Sequence, residues 1–307
     1  MAGTAGGGPS ALLRRGDRIA VVATGFGVLP DLLDAGLVRL RRMGFVPVPA
    51  PHARDVQGYL AGSDGDRVAD LNAALRDADL AGVWFARGGY GTARILGAID
   101  WRSLARHPKV FVGFSDLTAF FAAASRRAGA RCLHGPTVAD LATDGAWHEP
   151  SLRAALAGRD QTWRPSRSQV LVEGNASGPL VGGNLTVLAH LLGTRDAPRF
   201  EGAVLFLEEI GEEAYRVDRL LTHLAHAGVL ERVAGVLLGH FDAPPARRAY
   251  PPDVPVESVL GERLSRLRVP VVAGVPSGHR RGKWTLPMGG RVAIDTKRRS
   301  VRFEPSR

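Results

Sequence analysis

The sequence has almost no cysteine. Its 307 residues include a single one, Cys132. One thiol cannot form a disulfide within the chain, and it cannot supply a cysteine-based zinc site. The most common role of a free cysteine is that of a small buried residue. We therefore expect a buried Cys132, no disulfide framework and a protein of the reducing cytoplasm.

Long apolar runs are also missing. No stretch approaches the roughly 20 apolar residues that a helix needs to cross a membrane. Segment 1–10 is rich in glycine and alanine and has no basic region followed by an apolar core. It therefore does not match a secretory signal, and we expect a loose tail there. The sequence predicts no membrane partner.

Signatures of metal, cofactor and nucleic-acid binding are equally scarce. No HExxH or comparable ligand spacing occurs, and no P-loop or dinucleotide fingerprint is present, so we expect no metal and no cofactor. The formal net charge of +10 would suit a polyanion. However, the basic residues are spread along the chain with one cluster at 297–299, and no aromatic residues interleave with them. We expect a solvated basic surface and no nucleic-acid partner.

The residues that are present indicate a globular α/β protein. A chain of this length with 45% apolar residues suggests about two domains. Short β-branched runs alternate with segments of helical apolar spacing, which is typical of a parallel sheet covered by helices. The strands are predicted at 18–23, 45–48, 82–86, 110–114, 203–207, 235–238, 271–274 and within 291–303. The helices are predicted at 32–43, 66–78, 92–99, 116–127, 185–192, 215–227 and 256–267.

The pattern divides the chain into two parts. We predict an N-terminal Rossmann-like domain over 1–150, with a parallel sheet and helices on both faces. The pattern weakens between Trp147 and Ala176, so 151–176 is predicted to be a linker. A smaller C-terminal α/β domain is expected over 177–307. In such sheets, ligands bind beyond the carboxyl ends of the strands.

The sharpest local motif is Gly113-Phe-Ser-Asp116, between a predicted strand and helix. A tight turn of this kind can expose Ser115 as a nucleophile and point backbone N–H groups at the attacked carbonyl. The same pattern also suits a simpler role, in which Ser115 is the N-cap of the next helix. The residues alone leave both interpretations open.

Other candidates lie at neighbouring strand ends. Arg87-Gly-Gly-Tyr-Gly91 allows a close backbone approach, as half of an oxyanion hole, as a phosphate cradle or as a plain turn. His279 lies in a predicted loop, where a histidine is often only a surface residue, and His134 is a second candidate. Acids end the strand Leu205-Phe-Leu-Glu-Glu209, and more acids follow, so acidity alone does not select one.

These pieces together resemble the LD-carboxypeptidase (muramoyltetrapeptide carboxypeptidase) family, which includes the microcin C self-immunity proteins. The resemblance covers residues 16–303. The motifs that carry it, in family order, are Tyr59-Leu-Ala-Gly-Ser-Asp64, Arg67-Val-Ala-Asp-Leu-Asn72, Arg87-Gly-Gly-Tyr-Gly-Thr-Ala-Arg94, Gly113-Phe-Ser-Asp-Leu-Thr118, His134-Gly-Pro136, Gly182-Gly-Asn-Leu185, Leu207-Glu208 with Tyr215-Arg-Val-Asp-Arg219, and Gly278-His279 with Leu286-Pro-Met-Gly289.

The resemblance implies a serine carboxypeptidase with a catalytic triad of Ser115, Glu208 and His279. It also implies an oxyanion hole formed by the backbone amides of Gly89 and Asp116, an active site between the two domains, and a homodimer. The implied substrate is a murein tetrapeptide, cut before its terminal D-amino acid. The alternative is an immunity-type hydrolase of peptidyl or aminoacyl nucleotides that uses the same triad.

Two segments depart from the family pattern. Family members commonly have Ala-Pro-Ser after the first strand, where this chain has Ala23-Thr-Gly-Phe-Gly27. The loop after the histidine, Arg280-Arg-Gly-Lys-Trp284, is more basic than usual. The triad positions are intact, so these differences bear on the substrate rather than on the reaction.

Overall fold

The structure is a computed structural model that describes residues 11–244 and 254–305. The predicted tail over 1–10 lies outside these residues. The strands of the first half are β1 (Arg18–Val22), β2 (Val46–Pro49), β3 (Leu80–Phe85), β4 (Val110–Gly113) and β5 (Arg131–His134). Its helices are α1 (Pro30–Arg42), α2 (Asp64–Arg76), α3 (Thr92–Ile95), α4 (Trp101–Arg106), α5 (Leu117–Ala128), α6 (Val138–Leu141) and α7 (Glu149–Leu156).

The second half contains more strands than helices. The strands are β6 (Gln161–Trp163), β7 (Val170–Val172), β8 (Asn175–Asn184), β9 (Val204–Ile210), β10 (Gly235–Asp242), β11 (Val271–Ala273), β12 (Leu286–Met288), β13 (Arg291–Asp295) and β14 (Ser300–Phe303). The helices are α8 (Leu185–Leu191), α9 (Ala214–His226), α10 (Val229–Arg232) and α11 (Val256–Leu264). Short 3-10 helices occupy Leu96–Ala98 and Arg167–Gln169.

The first sheet has six strands in the order β12-β5-β4-β3-β1-β2. Strands β1 to β5 are parallel, and β12 joins the edge of β5 in antiparallel orientation. Side chains alternate across β1, so that Ile19 and Val21 pack with Leu33 of α1, whereas Ala20 faces the opposite cluster with Leu71 of α2. Helices therefore cover both faces, which confirms the predicted α/β class.

The second sheet has eight strands in the order β6-β14-β13-β8-β9-β10-β11-β7. Its central strands β8 to β11 are parallel, and the flanking strands pair in antiparallel orientation. The segment 151–176, expected to be a linker, includes most of α7 and the strands β6 and β7 of this sheet. Conversely, β12 lies late in the sequence but belongs to the first sheet.

One of the three apolar clusters in the described residues spans both sheets. Phe120 of α5, Leu180 of β8 and Phe206 of β9 belong to a single cluster of buried side chains, which also holds Cys132 at 0% exposure, as expected. This cluster joins α5, which follows β4, to β8 and β9 of the second sheet. No helix in the described ranges is both long enough and apolar enough to cross a membrane.

Candidate active site

Ser115 lies in the turn between β4 and α5, with φ +67°. It is one of two non-glycine residues with positive φ in the described part of the chain. Such a conformation costs an ordinary residue on the order of 1 kcal/mol or more and often marks a functional site. The backbone turns at once into the helix, where the N–H of Thr118 donates to the Ser115 carbonyl at 2.9 Å.

The N-cap interpretation of Ser115 is wrong for this structure. Asp116 occupies the N-cap of α5. The Ser115 hydroxyl instead lies 3.0 Å from Nε2 of His279. The motif therefore does start a helix, but one residue later than the serine, and this leaves the hydroxyl available to the histidine.

The structure brings together three side chains that the resemblance selected. Nδ1 of His279 lies 2.7 Å from Oε2 of Glu208, while Nε2 of the same ring contacts Ser115. A carboxylate only accepts, so Nδ1 carries the proton and donates it to Glu208. Nε2 is then the acceptor for the serine hydroxyl. The ring is held in the tautomer that can remove a proton from Ser115.

Glu208 is fully buried in β9. Burial raises the pKa of its carboxyl, but the hydrogen bonds and charge of His279 outweigh burial and hold that pKa below its ordinary value. Its Oε2 also accepts the backbone N–H of His279 at 3.2 Å. Its Oε1 has no hydrogen-bond partner among the described residues. The histidine loop therefore depends on this carboxylate twice, through the ring and through the backbone.

A glycine allows the histidine loop to pass the carboxylate. Gly278 has φ +100°, and a Cβ there would lie 2.8 Å from both Cβ and Oε2 of Glu208. Any side chain at this position would displace the acid or the loop. Gly278 thus lets His279 approach Glu208 closely.

The neighbouring acid serves a different purpose. Oε1 of Glu209 accepts from the Asn184 side chain at 2.7 Å, and its Oε2 accepts the backbone N–H of Thr186 at 2.8 Å. Successive strand residues point to opposite faces, so Glu209 faces the start of α8 while Glu208 faces His279. Burial raises the pKa of the Glu209 carboxyl. The structure thereby separates two acids that the sequence pattern left equivalent.

The glycine loop after β3 lies directly against Ser115. A Cβ on Gly88 would be 2.9 Å from Cβ of Ser115, and a Cβ on Gly89 would be 2.3 Å from the Phe26 ring. Gly89 has φ +103°. The carboxylate of Asp116 accepts the backbone N–H of Thr92 at 2.9 Å, which ties the serine turn to the end of this loop. Burial raises the pKa of the Asp116 carboxyl.

Arg67 is a supporting residue whose role the sequence pattern did not assign. Its side chain is completely buried. The guanidinium donates to the carbonyl oxygens of Thr24 and Gly91 and pairs with Asp64. It joins the loop after β1 to the glycine loop, so it braces the backbone beside Ser115. Arg67 belongs to the family motif Arg67-Val-Ala-Asp-Leu-Asn72, and this is the feature of the sequence that could have identified it.

His134, the second histidine candidate, ends β5 in a different environment. It is 1% exposed, and its Nδ1 lies 3.4 Å from Oγ of Ser277. Burial lowers the pKa of its imidazole to about 4, so the ring is neutral at neutral pH. Its ring also packs edge-to-face on Phe114 and Phe206. His134 is thus a buried residue that contacts Phe114, next to Ser115, and Ser277, near His279.

One group of side chains of metal-ligand type was not predicted from the spacing in the sequence. Ligand-type atoms of His52, Asp55 and Asp66 lie within 4.8 Å of one another. Nδ1 of His52 is 2.8 Å from Asp55, while Asp66 caps the start of α2 together with Ser63. Hydrogen bonding and helix capping account for this arrangement.

Known proteins match both halves of the chain. The sequence profile of the LD-carboxypeptidase N-terminal domain matches residues 19–135, and that of the C-terminal domain matches residues 177–294. A Streptomyces coelicolor protein provisionally named a carboxypeptidase is 43% identical over 294 residues, covering 93% of this chain and 92% of its own. The murein tetrapeptide carboxypeptidase of Pseudomonas aeruginosa is 32% identical over 296 residues, covering 92% and 94%.

Solved structures share the whole fold. The muramoyltetrapeptide carboxypeptidase of Oxalobacter formigenes superposes with a TM-score of 0.83 at 32% identity, covering 93% of this chain and 97% of its own. The microcin C7 self-immunity protein MccF superposes with a TM-score of 0.85 at 22% identity, covering 96% and 98%. From both domain matches and the identities to named carboxypeptidases, we conclude that this chain belongs to the LD-carboxypeptidase family of serine peptidases.

Proposed function

We propose that this chain is a serine carboxypeptidase that cleaves the L,D peptide bond before the terminal D-amino acid of murein tetrapeptides. The observation that carries the proposal is the continuous hydrogen-bond chain from Ser115 through His279 to Glu208, at 3.0 and 2.7 Å. This is the arrangement in which a serine hydroxyl becomes a nucleophile. The identity to murein tetrapeptide carboxypeptidases supports the substrate class.

In the first half of the reaction, the Ser115 oxygen attacks the carbonyl carbon while its proton moves to Nε2 of His279. Glu208 is buried and ionised, and it stabilises the positive imidazolium that forms. The backbone N–H groups of Gly89 and Asp116 donate to the oxyanion, and loss of one such donor would raise the barrier by about 3 kcal/mol.

In the second half, His279 gives the proton to the leaving amine of the D-amino acid. Water then attacks the acyl-enzyme with His279 as general base and releases the shortened peptide. The strained turn keeps Ser115 at the end of β4 throughout, since its backbone is fixed by the start of α5.

The test is the release of D-alanine from a murein tetrapeptide by Ser115→Ala. We expect kcat to fall on the order of 10⁴-fold or more, since removal of a triad nucleophile leaves only binding and oxyanion contributions. Ser125→Ala, on α5, is the matched control and should keep its activity. Retained activity in Ser115→Ala would exclude the serine from the mechanism.

A second substrate class has a specific observation in its favour. MccF, which shares the fold, has been solved in complex with glutamyl sulfamoyl guanosine. We therefore propose three parallel assays of the wild-type protein, with the tetrapeptide, its all-L analogue and a peptidyl nucleotide. Release of amino acid from the nucleotide alone would favour the immunity-type hydrolase. Equal cleavage of the all-L analogue would exclude L,D specificity.

The setting of the reaction belongs to the same proposal. We propose a cytoplasmic homodimer in which residues 1–150 supply Ser115 and residues 177–307 supply Glu208 and His279. The single buried thiol is compatible with a reducing compartment. Sedimentation analysis of the full chain tests the dimer, and a monomer at micromolar concentration would contradict it.

A further inference from the structure

The basic loop after His279 contains one cation that is not on the surface. Arg280 and Arg281 are exposed, whereas Lys283 is only 5% exposed. A buried ammonium group is costly unless charged or polar partners compensate for the lost water. The contacts of Lys283 therefore explain why a lysine occupies this position.

Lys283 has two partners beneath the site. Its Nζ lies 2.8 Å from Oδ1 of Asp140 and 3.9 Å from the centroid of the Phe114 ring. Asp140 is itself fixed, because its Oδ2 accepts the backbone N–H and the hydroxyl of Thr137 at 2.9 and 2.6 Å. A cation that is removed from water over an aromatic face makes a strong contact. Lys283 thus pins the Phe114 ring against a rigid anion.

Phe114 connects this ion pair to the reacting groups. It immediately precedes Ser115, and its ring centroid lies 4.7 Å from that of the His279 imidazole. The loop that carries Lys283 is also held by backbone bonds, from Gly282 to Gly145 at 2.8 Å and from His148 to Lys283 at 3.0 Å. The Lys283 side chain therefore contacts Phe114, which precedes Ser115, and it also helps to hold the loop that carries His279.

We propose that Lys283 is a positioning residue, which holds Phe114 and the histidine loop together and so keeps Nε2 of His279 on the Ser115 hydroxyl. This inference rests on the proposed function of the triad. It gives Lys283, in the basic loop, a role in aligning His279 with Ser115. Neither Lys283 nor Asp140 contacts the reacting atoms.

The test compares Lys283→Met, which keeps most of the side-chain length without the charge, with Lys283→Arg. We expect Lys283→Met to lower kcat for D-alanine release at least tenfold while KM changes less than twofold. Lys283→Arg should recover kcat to within about threefold of wild type, because it restores a cation over the ring. Arg281→Met, on the exposed part of the loop, is the matched control with unchanged kcat.

Two further readouts separate positioning from folding. The proton shared by His279 and Glu208 should give a downfield proton NMR signal in the wild type, and Lys283→Met should broaden or shift it while the thermal unfolding transition stays cooperative. Phe114→Leu removes the aromatic face without a charge change, so it tests the same path if Lys283→Met does not fold. An unchanged signal and unchanged kcat in either folded variant would overturn the proposal.

A fluorophosphonate probe distinguishes failure of this inference from failure of the proposed function. The probe acylates an aligned serine without any peptide substrate. If wild-type Ser115 is not labelled, the triad itself is wrong. If wild type is labelled and Lys283→Met is labelled equally fast, the triad stands and the positioning role of Lys283 is wrong. We expect at least tenfold slower labelling in Lys283→Met.

Discussion

The segments that carry Ser115 and His279 contact each other, but they connect different kinds of elements. The serine turn joins β4 to α5, which are consecutive elements, and the backbone hydrogen bonds that lead into the helix run within residues 114–119. The histidine loop, residues 274–285, joins β11 of the second sheet to β12 of the first. The position of Ser115 thus depends on its own turn and on the neighbouring glycine loop of the same sheet, whereas that of His279 depends on contacts with both sheets.

The long-range contacts of the histidine loop include ring stacking and hydrogen bonds. The Trp284 ring stacks on His148 at 5.5 Å, and the Thr285 N–H donates to Oγ of Ser151 at 2.8 Å. On the other side, Glu208 accepts from the ring and the backbone of His279. A change in any of these partners should move His279 more than Ser115, and three experiments test this difference.

The largest effect should come from Gly278→Ala compared with Gly282→Ala. Both glycines have positive φ, but a Cβ on Gly278 would collide with Glu208, whereas a Cβ on Gly282 would meet no atom within 4 Å in the described part of the chain. We expect Gly278→Ala to lower kcat about 10² fold, the usual effect of a displacement near 1 Å at a reacting group. Gly282→Ala should cost only about 1 kcal/mol of unfolding free energy.

Kinetics of D-alanine release together with urea unfolding of both variants measure this difference. If the two alanine variants lose the same activity and the same stability, the backbone conformation alone matters. The close approach to Glu208 would then have no special role in holding the loop.

A smaller effect concerns the junction of the two regions, where His134 of β5 contacts Ser277 of the histidine loop. The pKa of His134 is about 4 in the folded protein against 6.5 for an ordinary histidine, so the unfolded state binds one more proton between these pH values. This residue therefore lowers the free energy of unfolding as the pH falls from 6.5 to 4, by about 1.4 kcal/mol per pH unit.

His134→Asn keeps a donor near Ser277 and removes the titration. We expect the free energy of unfolding of this variant to depend less on pH than that of wild type between pH 4 and 6.5. Urea titrations at several pH values measure the two slopes. Parallel slopes would show that His134 does not remain neutral in the folded protein.

The smallest effect should appear at the serine turn itself. Ser115 has φ +67°, which glycine adopts without strain and alanine does not. Both Ser115→Gly and Ser115→Ala remove the hydroxyl, yet we expect the glycine variant to be more stable by about 1 kcal/mol. At Ser125, inside α5, the order should reverse, since glycine disfavours a helix interior by about 1 kcal/mol relative to alanine. Thermal unfolding of the four variants tests both signs.

Much of the first sheet was predictable, because its strands are apolar runs that alternate with helical spacing. The predicted strand at 110–114 and helix at 116–127 match β4 and α5 to within one residue at either end. Strands β5 and β8 were not predicted. The segment of β8, Asn175–Asn184, contains glycine, proline and asparagine, and it forms a strand because β9 and β13 flank it. Its pairing partners, rather than its own propensity, decide its conformation.

The sequence by itself determined the α/β class, the tight turn at Ser115 and the glycine loop beside it, since short-range sterics and apolar periodicity govern these features. Family motifs added the identities of Glu208 and His279. Only the tertiary structure decided that these side chains meet, that Glu209 turns away and that Lys283 lies beneath the site. The contacting residues are 71 and 164 positions apart, and such contacts depend on how two sheets pack, which no local pattern encodes.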